Sequence, residues 1–276
     1  MNIVTISRLV GAYGDIIAAV VARRMGMELI SLAKVHELAQ GCDPEYMDAC
    51  TLFETEHGPT FFERIFFDRP THTSLFKALT YQEASRGNVV LVGRGAQIIL
   101  RDIPGVFRAR IVAPKQLRVE RIMERYNFSK DEAEDFVRKS DHEREGLIHS
   151  IFHIDPNDWS LYDITVNTAH FTSGALADII VQAVEKIEKV PDKENVQEIL
   201  KSMALAKKIE TLARKKMTSA VARHVEIDAE PGGVVKISGR IRDRKDKERL
   251  NKLAAEYPGV TKVVDDLKVT DLSFSY

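Results

Sequence analysis

The chain has 276 residues, of which 44% are hydrophobic, and its 40 Lys+Arg against 41 Asp+Glu give a formal net charge of −1. That length makes one large domain or two ordinary ones, and so balanced a charge gives no reason to expect a nucleic-acid face. No apolar run approaches the ~20 residues that a membrane span needs.

The first segment, Asn2-Ile3-Val4-Thr5-Ile6-Ser7-Arg8 and on through Ala18, reads as a buried strand, a glycine-punctuated turn and a helix. Thr5, Ser7 and Arg8 stand where a signal peptide would run from basic to apolar. Cys42 and Cys50 are the only cysteines, too few for a disulfide framework or a paired zinc site. Both observations predict a reduced, cytoplasmic protein.

Further strands are predicted at Val89–Val92, Phe107–Val112 and Ile164–Val166, with the first at Ile3–Ile6. Helical periodicity lies between them at Ile16–Met25, Ser74–Arg86, Pro114–Tyr126, Ser129–Lys139 and Gly174–Lys189. Such alternation predicts an α/β fold whose parallel sheet is covered on both faces. Pro114 suits a first helical turn, and Ser129 with Glu132 makes a capping box. Leu32 to Arg69 is polar and less periodic, which predicts helices flanking an insertion over the sheet edge.

Pro191-Asp192-Lys193 breaks the pattern, and the charge changes with it. Residues 1–190 hold 22 Lys+Arg against 27 Asp+Glu, and residues 191–276 hold 18 against 14. A charged helix over Glu194–Ala222 is followed by a strand (His224–Ala229), a Gly232-Gly233 turn and a strand (Val234–Ile241). A helix (Lys245–Tyr257) and a strand (Val260–Val269) close the segment. The expected domains are therefore 1–190 and 191–276, the second a long helix and a small α/β unit.

Gly11 and Gly14 punctuate the first turn, and a glycine-rich loop feeding a helix N-terminus is an anion site. A full phosphate-loop signature places lysine and then a hydroxyl after the second glycine. Here Asp15 and Ile16 hold those positions, and Leu9 replaces the first glycine. An ordinary strand-to-helix turn explains the two glycines equally well, with Asp15 complementing the helix dipole.

Other constellations are weaker. His149 and His153 share a helix face, but Ser150 stands where a metalloprotease has glutamate. Ser7 lacks a glycine elbow. Trp159 and Tyr162 read as anchors for the segment returning to the last strand. Arg118, Arg121 and Arg125 recur at spacings of three and four, hence on one helix face. Left to the residues alone, they either bind an anion or pair with Glu120, Glu124, Glu134 and Asp135.

Over residues 1–190 the chain resembles the cytidylate-kinase-like family of P-loop nucleoside monophosphate kinases. The matching pieces are Thr5-Ile6-Ser7-Arg8 with Gly11 to Gly14, then Val89-Val90-Leu91-Val92-Gly93-Arg94-Gly95-Ala96, and Ala113-Pro114. They continue through Arg118, Arg121, Arg125, Lys139-Ser140-Asp141, Arg144 and Ser160-Leu161-Tyr162-Asp163. The resemblance implies a three-layer P-loop nucleotide-kinase fold with a helical lid, using ATP and Mg2+. Gly11, Ala12, Tyr13, Gly14, Asp15 and Ile16 would then form the donor-phosphate loop. Gly93 and Arg94 would contact the acceptor, and Arg121, Arg125 and Arg144 would clamp phosphates. In such kinases the inner turn reads Asp-Gly-Arg-Asp; Val92-Gly93-Arg94-Gly95 lacks both carboxylates. Arg8 is the residue placed to supply the missing lysine charge.

Residues 196–270 resemble a BON domain, through Gly233-Val234-Val235-Lys236-Ile237-Ser238-Gly239-Arg240-Ile241 and Pro258-Gly259-Val260. Such domains are associated with lipid or small-ligand binding, which here implies regulation or homo-oligomer assembly. Two functions follow from the resemblances. One is phosphoryl transfer from ATP to CMP or a related nucleotide. The other is a catalytically inactive nucleotide-binding regulator whose C-terminal domain transmits the signal.

Overall fold

Five strands form the first sheet: β1 (Ile3–Arg8), β2 (Glu28–Ile30), β3 (Val89–Val92), β4 (Val106–Val112) and β5 (Ile164–Asn167). The computed structural model describes residues 2–30, 70–93, 95–187, 192–217 and 224–270. The expected insertion over Leu32–Arg69, both cysteines and Arg94 lie outside them.

All five strands are parallel, in the order β2-β3-β1-β4-β5, with Ile3 registered against Val89 on one side and Val106 on the other. Parallel strands need crossovers, and the helices supplying them leave the central strands no wet face. Val4, Ile6, Val90, Phe107 and Ile111 are accordingly buried. Helices α1 (Gly14–Met25) and, later in the chain, Ser173–Lys186 share one core with the sheet through Ile17, Val21, Leu176, Ile180 and Val184.

The charged helix after β4 is α4 (Lys115–Tyr126), following α2 (Pro70–Ser85) and the single turn α3 (Ala96–Ile99). Pro114 is its N-cap rather than its first helical residue. Helix α5 starts with the expected capping box at Ser129 and Glu132, but runs 23 residues, Lys130–Phe152. Periodicity hid its second half because the helix changes partners. Ala133 and Val137 pack with Val119 and Ile122 of α4, whereas Ile148 packs with Ile98, Leu161 and Tyr162. No single apolar stripe runs its whole length. Strand β2 was not expected at all, since three residues carry no readable alternation.

The chain divides into two compact units, residues 1–68 with 86–191, and residues 69–85 with 192–276. Helix α2, expected within the first domain, therefore belongs with the C-terminal segment. There it packs on α7 (Lys193–Lys216), which follows α6 (Ser173–Lys186), and Ser74 Oγ donates to Glu210 Oε1 at 2.7 Å. The rest of that unit is β6 (Val225–Glu230), β7 (Val234–Ile241), α8 (Arg244–Ala255) and β8 (Lys262–Val269). Strands β6 and β7 pair antiparallel, β7 and β8 parallel. Ile209, Ile227, Val235, Ile237, Leu250 and Leu267 form its own core.

Candidate phosphate and acceptor site

The turn after β1 enters α1 through two left-handed residues, Gly11 (φ 73°) and Tyr13 (φ 58°), the latter serving as the N-cap. The first intrahelical bond runs from Ile17 N–H to Tyr13 C=O. The N–H groups of Gly14, Asp15 and Ile16 thus have no partner inside the helix and point out from its positive end. Outward N–H groups of this kind are what an anion at a helix start would meet.

The loop carbonyls are tied back by two arginines of α4. Arg121 Nη1 donates to Gly11 C=O at 3.1 Å and to Thr168 Oγ1 at 2.8 Å, and its guanidinium lies 4.1 Å from the Tyr13 ring centre. Arg118 donates to Val10 C=O at 3.4 Å and makes a bidentate pair with Asp141 of α5 at 2.8 and 2.7 Å. Arg118 is only 4% exposed, and its Nε is buried without a partner. These two side chains fix the loop from behind, pulling its C=O groups one way and leaving its N–H groups on the other.

Arg8, the last residue of β1, holds the front. Its Nε and Nη2 both lie 3.0 Å from Asp15 Oδ1. The side chain crosses the face of Gly14 and brings Nη1 against Gly93; a Cβ on either glycine would overlap it. One guanidinium thereby joins the turn after β1 to the turn after β3. The Asp15 side chain is 68% exposed, so the pair is worth roughly 0.2–1 kcal/mol. A hydrogen bond from a charged group, about 1.5–3 kcal/mol, exceeds that. An arriving phosphate can therefore take Arg8 from Asp15.

A cavity of about 400 Å³ opens at the carboxyl ends of β1, β3 and β4, where parallel α/β sheets bind ligands. Its wall includes Ser7, Arg8, Gly93, Gln97, Arg110 and Arg144. Arg110 is held by neutral groups, donating to Asn157 Oδ1 at 2.7 Å and Tyr162 OH at 3.2 Å. Arg144, on α5, has no ion-pair partner among the described residues. Burial lowers its guanidinium pKa to about 9; Arg8 and Arg118 push the same way, while Asp15 and Asp141 oppose. Since a guanidinium stays charged in proteins, this pressure is a demand for an anion. Asp141 also lines the cavity, but both its oxygens face Arg118.

Of the expected site residues, Arg8, Gly93 and Arg144 line this cavity, and Gly11 to Ile16 form the adjoining helix entry. Arg121 supports that entry from behind. Arg125 is exposed over the Tyr126 ring, 5.2 Å from its centre, away from the loop that its neighbours Arg118 and Arg121 reach. Asp135, one of the acids offered to these arginines, pairs instead with Arg138 on the surface of α5. Arg110 was not foreseen; the Val106–Val112 run carries two arginines, and only the fold distinguishes Arg108, paired with Asp163, from Arg110 on the cavity wall. Gln97 gave no signal, being one polar residue in a four-residue helix.

The donor groups suit a polyphosphate. They do not suit magnesium in the usual way: Ile16 has no hydroxyl, and Asp15, the only carboxylate of the loop, is bonded to Arg8. Among the described residues no cluster of three His, Cys, Asp or Glu could hold a metal ion, His149 and His153 included. No helix among them is long and apolar enough to cross a membrane.

The chain is 30% identical over 110 residues to a cytidylate kinase of Staphylothermus marinus, covering 40% of this chain and 62% of that one. It is 31% identical over 108 residues to the cytidylate kinase of Methanocaldococcus jannaschii, covering 38% and 61%. The chain thus spans less than two thirds of the length of those relatives. A solved structure of an uncharacterized protein from Eubacterium ventriosum superposes with a TM-score of 0.53 at 20% identity, over 67% of this chain and 99% of that one. Residues 204–271 match the BON domain, and residues 3–170 match the model of the cytidylate kinase-like family, to which this chain belongs.

Proposed function

We propose that the chain is a phosphotransferase of the nucleoside monophosphate kinase type, moving the terminal phosphoryl group of ATP to CMP or a related nucleotide. The observation that carries this reading is the convergence of Arg8, Arg110 and Arg144 on one cavity beside a helix N-terminus. Phosphoryl transfer asks a protein mainly for position and for positive charge around the moving group. In this reading the N–H groups of Gly14, Asp15 and Ile16 hold the donor phosphates. Arg144 and Arg110 hold the acceptor, whose phosphate oxygen attacks the terminal phosphorus as ADP leaves. Arg8, lying between the two turns, takes the charge-stabilising part that lysine plays in a full phosphate loop. Magnesium would bring further charge to the phosphates, but no step here is assigned to it.

The Arg8–Asp15 pair favours a second reading, in which the site binds a nucleotide without turning it over and the C-terminal unit relays or assembles. Both readings meet one experiment: a magnesium-ATP transfer assay against CMP, dCMP, UMP and AMP, with calorimetric binding on the same sample. Turnover supports the kinase. Binding alone supports the regulator, and neither would overturn both.

A further inference from the structure

The cavity wall contains one buried polar side chain that no described residue bonds. Gln97, in the single turn α3, is 2% exposed and lines the cavity. Its amide has no hydrogen-bond partner among the described residues, and neither amide atom is among the fully buried unpartnered ones. The small exposure that remains is therefore to the cavity. Buried amides are almost always bonded, because leaving one unpaired forfeits the water it gave up. Beside the cavity, by contrast, Asn157 Oδ1 and Tyr162 OH accept from Arg110, and both oxygens of Asp141 accept from Arg118.

From this contrast we infer that Gln97 reads the base of the acceptor nucleotide. This rests on the nucleotide-acceptor reading above. An amide offers one acceptor and two donors, which match a base edge presenting an adjacent donor and acceptor. The guanidiniums of Arg110 and Arg144 on the same wall are suited to the anionic end, so the amide is left for the neutral one. Among the described residues no neighbour fixes the rotation of the Gln97 amide. Turned one way it meets the amino and ring nitrogen of cytosine; turned the other, the oxo and ring N–H of uracil. Gln97 thus selects a nucleotide over its base-free sugar phosphate, and accepts cytosine and uracil with similar affinity.

The test is binding of CMP, UMP and ribose 5-phosphate to the full chain, by calorimetry or competition, in the wild type, Gln97→Met and Gln97→Leu. Methionine keeps the length and near-volume without hydrogen bonds; leucine guards against a packing artefact peculiar to methionine. Both variants are expected to lose at least tenfold in affinity for CMP and UMP, with ribose 5-phosphate unchanged within twofold. A parallel loss for all three ligands would make Gln97 structural, and no loss for any would leave it without a ligand; either overturns the inference. A wild-type protein that binds CMP more than thirtyfold better than UMP would overturn the free amide rotation. If the wild type binds neither nucleotide, the acceptor reading itself fails, and this inference with it.

Discussion

Arg8 and Asp15 are paired across the phosphate loop, with Nε and Nη2 of the arginine each 3.0 Å from one carboxylate oxygen. The lysine position of a phosphate loop thus holds the counter-ion of the residue best placed to replace it. The exposed carboxylate makes this a weak restraint, yet it still competes with an incoming phosphate and repels it.

Asp15→Asn should release Arg8 and remove that repulsion. ATP affinity measured by calorimetry is expected to rise about tenfold, equivalent to ~1.4 kcal/mol. Arg8→Ala should lower it by a similar factor. If Asp15→Asn left ATP affinity unchanged while Arg8→Ala kept full activity, Arg8 would have no part at the phosphates.

Arg144 is half-buried beside Arg8 and Arg118 with no ion-pair partner among the described residues. Its removal should relieve the fold while harming the site. Arg144→Ala is expected to leave the melting temperature equal or higher, and to weaken nucleotide binding at least tenfold. A lower melting temperature with unchanged binding would make Arg144 a packing residue.

Arg118 and Asp141 present the opposite case. Their bidentate pair, with Arg118 buried and Asp141 half-buried, clasps α4 to α5 behind the loop. Asp141→Ala strands a buried guanidinium, a loss of about 3–5 kcal/mol. Thermal denaturation should show a fall of roughly 2–4 °C for each kcal/mol. A variant melting with the wild type would refute the clasp.

Glu210 gives the C-terminal unit an acid limit. Burial pushes its carboxyl up, but hydrogen bonds from Lys207, Ser74 and Arg214 win, holding it at about 2 against an ordinary 4.5. A depressed folded-state pKa stabilises above the unfolded value, and the gain is lost as pH falls from about 4.5 towards 2. The gain is on the order of 3 kcal/mol at neutral pH. Urea denaturation should therefore show wild type and Glu210→Gln well separated at pH 7 and converging near pH 3. A constant separation would remove Glu210 from the acid response.

The sequence by itself determined four of the five strands of the parallel sheet, because a strand buried on both faces must be written as an apolar run. Val89–Val92 stands where its apolar run foretold, and Val234–Ile241, in the C-terminal sheet, where its alternation of Val235, Ile237 and Ile241 foretold. It also determined the helix start after Gly11 and Gly14, and the capping box at Ser129. Each is a short-range matter, decided within a few residues by sterics and hydrogen bonding.

Only the tertiary structure decided what the arginines do. Arg118, Arg121 and Arg125 look alike at their spacing of three and four, yet one clasps Asp141, one holds the loop and one lies exposed. Those differences come from partners 23, 110 and 1 residues away, and charge is satisfied by whatever the fold brings near. The same holds for α2, whose periodicity predicted a helix but not that it would pack with α7. Gln97 is the extreme instance: its chemistry lies in a hydrogen bond left unmade, which becomes visible only when a cavity is built around it.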